Sequence, residues 1–264
     1  MKKLTYIILL LTAALQSVAQ ERLKVKITDA TKPVELKAKL VHGSINISGY
    51  DSDEVIVTVN EGIKKTPRGP QMVDGMHRIE KSSSFEINLE EKNNTVTISS
   101  SHPNQRIGLE IKVPRVSNLN VGTVNDGAVK IDNITGDIVA TNVNGAIVIT
   151  NVNGVVSANT INGAVKVQFN QIKNEPMAFS TLNGSIDISL PASANINAKM
   201  NSDNGEIYSD FEISILPSEN KPSQSNVYGM QKIKKEGWTR GRIGKGGADF
   251  LMKTSNGNIY IRKN

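Results

Sequence analysis

The three histidines are the side chains best suited to bind a metal ion or to transfer a proton near neutral pH. They stand at His42, His77 and His102, and the chain has no cysteine. None of them lies in a His-Glu-x-x-His motif or in another spacing typical of a metal site. We therefore interpret each histidine as a surface or turn residue, and we expect neither a metal ion nor another cofactor.

Serine and carboxylate catalysis also lack a sequence signature. The Gly-x-Ser-x-Gly elbow of hydrolases does not occur in the chain. Asp132, Asp137 and Asp187 could line one face, as the acidic groups of polysaccharide-cleaving β-helix enzymes do. Each of them, however, stands where an outward or corner residue is expected to be polar in any case. We predict that the protein is not an enzyme and keep a polysaccharide-processing β-helix enzyme as a less favoured alternative.

A basic segment in the last part of the chain is the best candidate for binding. It combines six cations with the single tryptophan, namely Lys232, Lys234, Lys235, Trp238, Arg240, Arg242 and Lys245. Only Glu236 opposes these charges within the segment. Such a segment could dock on an anionic surface such as lipopolysaccharide, phospholipid headgroups or acidic polysaccharide. The simpler interpretation is a solvated loop whose Trp238 packs back onto the fold.

Composition narrows the classes of partner. Aromatic residues make up 4% of the chain, so few rings are present to stack on sugars or on single-stranded nucleic acid. The net charge of +6 does not by itself indicate a nucleic-acid partner. The expected partners are therefore an envelope glycan, lipopolysaccharide or a surface protein, and self-association is a further option.

The first nineteen residues have the pattern of a secretory signal peptide. Two lysines precede an apolar stretch from Leu4 to Ala14, and Ser17-Val18-Ala19 supplies the small residues of a cleavage site. The apolar stretch is too short to span a bilayer, and no second long one follows. We expect cleavage after Ala19, which removes the two lysines and lowers the net charge from +6 to +4. The exported protein would be periplasmic, associated with the outer surface or secreted.

Glycine recurs at fixed intervals in the second half of the chain. Five glycines are spaced by nine residues, Gly184 and Gly205 follow at steps of 21, and Gly257 is last; the five are Gly127, Gly136, Gly145, Gly154 and Gly163. Asn-Gly, which precedes most of the strands, readily forms a tight corner because both residues tolerate positive φ. Positions two and four after the glycine are apolar, as in Ile147 and Ile149. Such alternation predicts short strands with one face inward.

Two arrangements would let these short strands support one another. A hairpin meander is one, because Asn-Gly is also the strongest two-residue hairpin signal. The constant spacing favours the other, an all-β fold of the β-solenoid kind (a β-helix or β-roll) built of stacked two-strand coils with about 18–21 residues per coil. In that fold one edge would carry Gly127, Gly145, Gly163, Gly184 and Gly205, and the opposite edge Gly136 and Gly154.

The repeat also divides the chain. Residues 1–19 form the signal peptide, and residues 20–115 an irregular β region continuous with the solenoid. In that region His42-Gly43-Ser44-Ile45 is an early copy of the corner. Residues 116–264 form the repeat region, with an insertion at about 212–240, because Gly205 and Gly257 are 52 residues apart.

Three stretches, together with the Asn-Gly repeats, resemble a known family. They are Val113-Pro114-Arg115 followed by Asn118-Leu119-Asn120-Val121, then 241–248, and finally Thr254-Ser255-Asn256-Gly257-Asn258-Ile259-Tyr260-Ile261. They resemble the bacterial "putative adhesin" domains of unknown function with β-strand repeats, which are similar in architecture to the head GIN domain adhesins. The resemblance covers about residues 40–264. It implies an exported β-solenoid and offers no established active-site residues.

These features together predict an exported, non-catalytic, adhesin-like protein of the bacterial cell envelope or surface. A rigid β-face would bind glycan or protein. The first alternative is a self-assembling envelope scaffold whose stacked strands pair end to end with other copies, and the second is the enzyme considered above.

Overall fold

A computed structural model describes residues 21–61, 72–73, 76–77, 85–102, 104–217, 223–227, 230–234 and 237–264. The expected signal peptide at 1–19 lies outside the described residues. Within the described ranges every regular element is a β-strand. These ranges hold no helix that could cross a membrane.

The strands are numbered in chain order. The first nine are β1 (Glu21–Lys26), β2 (Val34–Tyr50), β3 (Glu54–Glu61), β4 (Met72–Val73), β5 (Met76–His77), β6 (Ile87–Lys92), β7 (Thr95–Ser100), β8 (Ile107–Pro114) and β9 (Ser117–Asn125). The next nine are β10 (Val129–Asp132), β11 (Ile138–Asn142), β12 (Ile147–Gly154), β13 (Val156–Asn159), β14 (Val165–Ile172), β15 (Met177–Asn183), β16 (Ile186–Leu190), β17 (Ile196–Asn204) and β18 (Ile207–Ser209). The last six are β19 (Ile213–Ile215), β20 (Ser223–Val227), β21 (Met230–Lys234), β22 (Thr239–Ile243), β23 (Ala248–Asn256) and β24 (Ile259–Lys263).

Most strands belong to two faces whose neighbouring strands run parallel. Face A consists, in spatial order, of β8, β2, β10, β12, β14, β16, β24 and β18. Face B consists of β7, β2, β9, β11, β13, β15, β23 and β17. The long strand β2 belongs to both, because it pairs on face B before Gly43 and on face A from Gly43 onward.

Residues at matching positions of the repeat lie side by side. On face A, Ile147 pairs with Val165, and Val165 pairs with Ile186. All three side chains are fully buried between the faces, while the residues that alternate with them face water. The predicted all-β fold of the solenoid kind is confirmed. A hairpin meander is excluded for these strands, because it would require antiparallel neighbours.

The close approach of successive corners explains the recurring glycine. A Cβ atom on Gly145 would lie 2.0 Å from the carbonyl oxygen of Gly127, and one on Gly127 would lie 2.1 Å from that of Gly43. The corner at Gly43 is therefore part of the same edge, as the early copy of the motif predicted. On the opposite edge, a Cβ atom on Gly154 would lie 1.9 Å from the carbonyl oxygen of Gly136. Any side chain at these positions would push neighbouring strands apart.

The last strands do not follow their order along the chain. On face A, β24 lies between β16 and β18, and on face B, β23 lies between β15 and β17. The predicted edge, with Gly205 directly after Gly184, is therefore wrong in its order, because Gly257 lies between these two glycines. The reason lies in the insertion, where β19 and β22 pair antiparallel on face B and bring the chain back before β23 begins. Sequence spacing does not reveal such a return.

Three phenylalanine rings hold the inserted strands to the interior. Phe169 in β14, Phe179 in β15 and Phe250 in β23 are fully buried. Their ring centroids are 6.0–6.3 Å apart, and the rings are tilted or edge-on to one another. These are the geometries that aromatic pairs prefer.

Antiparallel strands cover three of the four ends of the two faces. β3 and β1 extend face A beyond β8, β6 covers β7 on face B, and β22 with β19 covers β17 at the other end of face B. In the described part of the chain, face A ends on the three-residue strand β18. The predicted insertion at about 212–240 thus contains β19, the separate hairpin β20–β21 and the start of β22.

Two hydrogen-bonded ladders run along the Asn-Gly edge. In the outer ladder each amide donates to the amide oxygen of the next asparagine at 2.7–3.0 Å, in the order Asn204, Asn256, Asn183, Asn162, Asn144 and Asn125. In the inner ladder a side chain two residues before each asparagine donates to a corner carbonyl of the adjacent strand. Thr160 Oγ1, for example, donates to the carbonyl oxygen of Gly145 at 2.9 Å. The motif of the edge is therefore Thr-x-Asn-Gly at the three corners that begin with Thr160, Thr181 and Thr254, and Asn142 and Ser202 take the place of the threonine at two others.

Candidate binding face

The three aspartates considered for catalysis are held by separate partners. These partners are Thr150 for Asp132, Lys173 for Asp137 and Arg262 for Asp187. The hydrogen bond to its carboxylate raises the pKa of Lys173, and likewise that of Arg262, above the ordinary value. The described geometry thus shows three separate surface contacts, and it does not bring two carboxyl groups to one cleft as glycoside hydrolysis requires.

The three histidines lie in separate parts of the chain. Nδ1 of His42 is 3.2 Å from the carboxylate of Asp126, which also pairs with Arg106. His77 lies in β5, of which only the backbone is described. The backbone N–H of His102 donates to Ser100 Oγ at 3.3 Å. Among the described residues there is no group of three or more acidic or histidine side chains that could hold a metal ion.

The structure distributes the predicted basic segment over three places. Lys232 and Lys234 lie in β21, of which only the backbone is described, and Lys235 lies outside the described residues. Arg240 and Arg242 lie within β22, which is attached to face B, and Trp238 comes directly before this strand. Lys245 lies in the following turn, where its backbone N–H donates to Asn195 Oδ1 at 2.7 Å.

Trp238 lies over face B between two lysines from other strands. Lys199 Nζ in β17 is 4.4 Å from the centre of the indole ring, and Lys253 Nζ in β23 is 5.6 Å from it. Both distances are within the range of cation–π attraction. The ring itself is half-buried. The expectation that Trp238 packs back onto the fold therefore agrees with these contacts, and the contacts also place two cations beside the ring.

A groove of about 400 Å³ adjoins this cluster. Arg240 and Arg242 on β22 stand directly opposite Lys199 and Asn197 on β17. These four side chains line the groove together with Asp249 of β23, and among the described residues Asp249 is the one acidic side chain of the lining. Three cations against one carboxylate make the groove electropositive, so that it suits an anionic group. We call Lys199, Trp238, Arg240, Arg242 and Lys253 the basic–aromatic patch.

Lys245 contributes to a different groove. This second groove, of about 630 Å³, lies at the opposite edge and is lined by Lys245, Lys173 and side-chain amides such as those of Asn174 and Asn195. Lys173 is already engaged by Asp137 at 2.9 Å. Lys245 is therefore not brought together with the patch, although the two are close in sequence.

Sequence reasoning missed Lys199 and Lys253. Both are outward residues of strands whose inward residues are buried, so the alternation around each already predicted an exposed side chain. Nothing local, however, indicated that β17 and β23 are neighbours. Their pairing, with Lys199 opposite Leu251 and Asn201 opposite Lys253, depends on the inserted position of β23.

Known proteins resemble this chain over most of its length. The family model described as Toastrack DUF4097 matches residues 9–262. A "putative cell adhesion protein" from Clostridium sporogenes ATCC 15579 is 14% identical, with a TM-score of 0.42 and coverage of 93% of this chain and 100% of that one. A "putative adhesin" from Bacteroides fragilis NCTC 9343 is 13% identical, with a TM-score of 0.36 and coverage of 93% and 98%. No curated protein matches the chain.

The family match agrees with the resemblance seen in the sequence. The Asn-Gly repeats and the closing stretch at 254–261 suggested the family of adhesin-like domains of unknown function, and the family model confirms this assignment. Because the family model spans nearly the whole sequence, the chain belongs to the Toastrack DUF4097 family.

Proposed function

We propose that this protein is an exported, non-catalytic, adhesin-like protein that binds acidic glycan of the cell envelope through face B. The observation that carries the proposal is the convergence of Lys199 and Lys253 on Trp238, with Arg240 paired beside Lys199. These residues come from β17, from β23, and from β22 together with the residue directly before it. A rigid β-scaffold of this kind fixes the spacing of the charges, so that little side-chain and backbone freedom is lost on binding.

A glycan suits the patch better than a lipid bilayer does. Membrane-surface binding needs an apolar face that enters the region between headgroups and acyl chains. Trp238 is half-buried and has ammonium groups against its ring, so it offers little apolar surface for insertion. Carboxylates or sulfates on a polysaccharide can pair with the cations without entering an apolar layer.

Export rests on the sequence of the first nineteen residues. Lys2 and Lys3, the apolar stretch and Ser17-Val18-Ala19 together form the signal-peptide pattern. An exported protein meets envelope polysaccharide, which supports the choice of ligand. We therefore place the protein in the periplasm, on the outer surface or outside the cell as part of the proposal.

End-to-end assembly is the less favoured role. A scaffold whose strands pair with other copies needs free strand edges at both ends of the stack. At three of its four ends the antiparallel strands β1, β6 and β19 stand outside the parallel strands, and the fourth ends on the short β18. The antiparallel direction of these outer strands interrupts the parallel stack, and short edge strands such as β18 and β19 are one way in which natural sheets avoid such pairing.

Binding of purified residues 20–264 to polygalacturonate tests the proposal. We expect saturable binding that is lost at high salt, because the Debye length falls to about 3 Å at 1 M. Dextran, which is neutral, should not bind. Vesicles containing phosphatidylglycerol serve as the comparison for a lipid surface, and tighter binding to them would contradict the choice of a glycan.

A matched pair of variants locates the site. Lys199→Gln with Lys253→Gln should weaken binding to polygalacturonate about tenfold, because two charges at the patch are lost. Lys130→Gln with Lys166→Gln removes the same charge from exposed positions on face A and should leave binding nearly unchanged. Equal losses in the two double variants would show that net charge, and not the patch, determines binding. Lys232→Gln, Lys234→Gln and Lys235→Gln, combined, test the contribution of the hairpin.

A further inference from the structure

The variable position of the Thr-x-Asn-Gly motif carries a row of exposed aliphatic side chains. At five successive corners the position that corresponds to x is Val or a larger aliphatic residue, and the row consists of Val41, Val124, Val143, Ile161 and Leu182. Val143 is half-buried, and of the other side chains 39% is exposed for Val41, 38% for Val124, 42% for Ile161 and 47% for Leu182. Aliphatic side chains that reach the surface at the same position of successive repeats form a contiguous apolar surface, and such surfaces mark interaction sites.

Backbone hydrogen bonds show that the members of this row are neighbours. The carbonyl oxygen of Val124 accepts from Asn144 N at 2.9 Å, and that of Val143 accepts from Asn162 N at 2.7 Å. The carbonyl oxygen of Ile161 accepts from Asn183 N at 2.8 Å. In each bond the donor asparagine directly follows the next member of the row in the sequence. The bond therefore places successive members of the row on adjacent corners. Five side chains at the strand spacing form a row about 19 Å long.

The outer asparagine ladder runs beside this row. Each amide inside the ladder, such as that of Asn144 or Asn162, gives one N–H and accepts one hydrogen bond. An amide has two N–H donors and two acceptor lone pairs, so each keeps a donor and an acceptor for a ligand. Asn144, Asn162 and Asn183 are exposed. Each repeat therefore offers one aliphatic group and one amide, and we call the two parallel rows the edge track.

Face B next to the edge track is uncharged in its middle and has a small excess of cations at both ends. The four strands β9, β11, β13 and β15 contain no charged residue. Lys37 and Lys39 stand on β2 at one end of this stretch, and Lys199 and Lys253 stand at the other. Glu35 on β2 stands beside Lys37 and Lys39, and Asp203 and Asp249 stand beside Lys199 and Lys253, where Arg240 and Arg242 on β22 supply the excess. The strands of face A in the same region carry charges of both signs, as with Lys130 and Asp132. This difference in charge between the two faces favours face B and its edge as the surface for an elongated ligand.

We infer that the edge track binds one extended strand of an acidic polysaccharide, which lies parallel to the stack axis and has its anionic groups at the lysines of both ends. This inference rests on the proposed function and specifies its ligand. A sugar ring has C–H faces, which pack on aliphatic groups, and hydroxyl edges, which bond to amides. The track repeats this pair of contacts once per strand, at about 4.8 Å, which is on the scale of one sugar residue in an extended chain.

A second copy of the chain does not fit the track. Face-to-face contact in either direction would bring one end with excess positive charge against another, because the cations outnumber the carboxylates at both ends. Like net charges set against each other at an interface disfavour association. Charge complementarity therefore selects an anionic occupant.

The length of the ligand supplies the first test. Calorimetric titration with polygalacturonate, which can cover the whole track, should give a Kd at least about tenfold lower per chain than titration with trigalacturonate, which reaches only one end. Equal affinities for the long and the short ligand would overturn the inference, since they would show that the lysine patch alone does the binding.

The second test uses two variants with the same charge change. Val124→Glu places a carboxylate on the track, four strands away from β23 and about 19 Å from the basic–aromatic patch. Val148→Glu places it on face A at a half-buried outward position. We expect Val124→Glu to weaken polygalacturonate binding about tenfold and Val148→Glu less than twofold, with trigalacturonate binding unaffected by either. Equal effects of the two variants would overturn the track.

A milder variant guards against loss of folding. Ile161→Ser puts a polar residue at a position where the strands nearest the C-terminus already have Ser255 and Asp203, so the corner tolerates it. It should weaken binding of the long polymer about threefold with an unchanged circular dichroism spectrum. If Ile161→Ser and Val124→Glu have no effect while Lys199→Gln with Lys253→Gln does, the track inference fails and the proposed function stands. If none of these variants weakens binding, both fail.

Discussion

Lys199 Nζ lies 4.4 Å from the centre of the Trp238 ring, and this contact joins the one tryptophan of the chain to the charges of face B. Lys253 approaches the same ring from the neighbouring strand β23. The contact links two residues that are far apart in the sequence. It also makes the emission of a single fluorophore sensitive to the state of two ammonium groups.

Binding of an acidic glycan should therefore change the tryptophan fluorescence. When an anion engages Lys199 or Lys253, the ammonium moves relative to the indole ring and the emission intensity changes. We expect a saturable change on titration with polygalacturonate, reversed by salt and absent with dextran. Lys199→Gln with Lys253→Gln should abolish it. Binding seen by calorimetry without any change in emission would show that the ligand lies elsewhere.

The inner ladder should contribute to stability through its buried hydroxyl groups. Thr160 is 2% exposed and donates to the carbonyl oxygen of Gly145 at 2.9 Å. Thr160→Val keeps the shape but leaves that acceptor without this donor, so we expect the free energy of unfolding to fall by about 1–3 kcal/mol. The matched control is Thr141→Val, at an exposed threonine, where urea denaturation should show little change. Equal destabilisation at both positions would contradict the role of the ladder.

The inserted strand β23 should depend on Phe250. Its ring is fully buried against Phe169 and Phe179 at centroid distances of 6.2 and 6.0 Å. Phe250→Ala should lower the free energy of unfolding by about 3–5 kcal/mol, because it removes a large buried side chain and leaves a cavity. Leu251→Ala, at the outward and 36% exposed neighbour, is the control and should cost far less. Similar losses in the two variants would indicate that β23 is not held through its inward side.

Acid should remove the contribution of Asp29 to stability. The hydroxyl of Thr31 and the ammonium of Lys32 hold the pKa of Asp29 at about 2, below its ordinary value of 3.8. Because the folded state binds the proton less tightly than the unfolded state, this contribution is complete above pH 3.8 and is lost as the pH falls through about 2. Asp29→Asn should therefore lower the Tm at pH 7, and the difference from the native protein should shrink towards pH 2. A difference that does not vary with pH would contradict this assignment.

The corners and the short strands could be predicted from the sequence, because each is determined by residues close together in the chain. Corner glycines such as Gly127 and Gly145, and alternating residues such as Ile147 and Ile149, follow from backbone sterics and burial within a few positions of the chain. The threonine of the Thr-x-Asn-Gly motif was equally visible, since Thr160 and Thr181 both stand two residues before an asparagine. Its hydroxyl bond to the next corner could not be seen, because the acceptor belongs to a different repeat.

What depends on long-range pairing could not be predicted from the sequence. The basic–aromatic patch needs Lys199 and Lys253 beside Trp238, and this requires β23 to lie next to β17. The sequence placed Arg240 and Arg242 correctly in a basic segment, but it joined to them Lys245, which lines a different groove. Spacing along the chain predicts which strands are neighbours only where the strands lie in space in the same order as in the sequence. That agreement ends at Leu190, the last residue of β16, because the next strand on face A is β24.

The position of β23 and β24 inside the stack has a consequence for how the protein matures. A chain that emerges from the ribosome or from a translocation channel presents β15 to β18 before it presents the strands that belong between them. Until then, two pairs of strand edges stay without their native partners, and such edges are templates for aggregation and targets for proteases. Arrival of β23 and β24 removes all of these edges in one step. Products truncated before Ala248 should therefore be recognised and degraded, so that the late strands serve as an internal check that synthesis has reached this point.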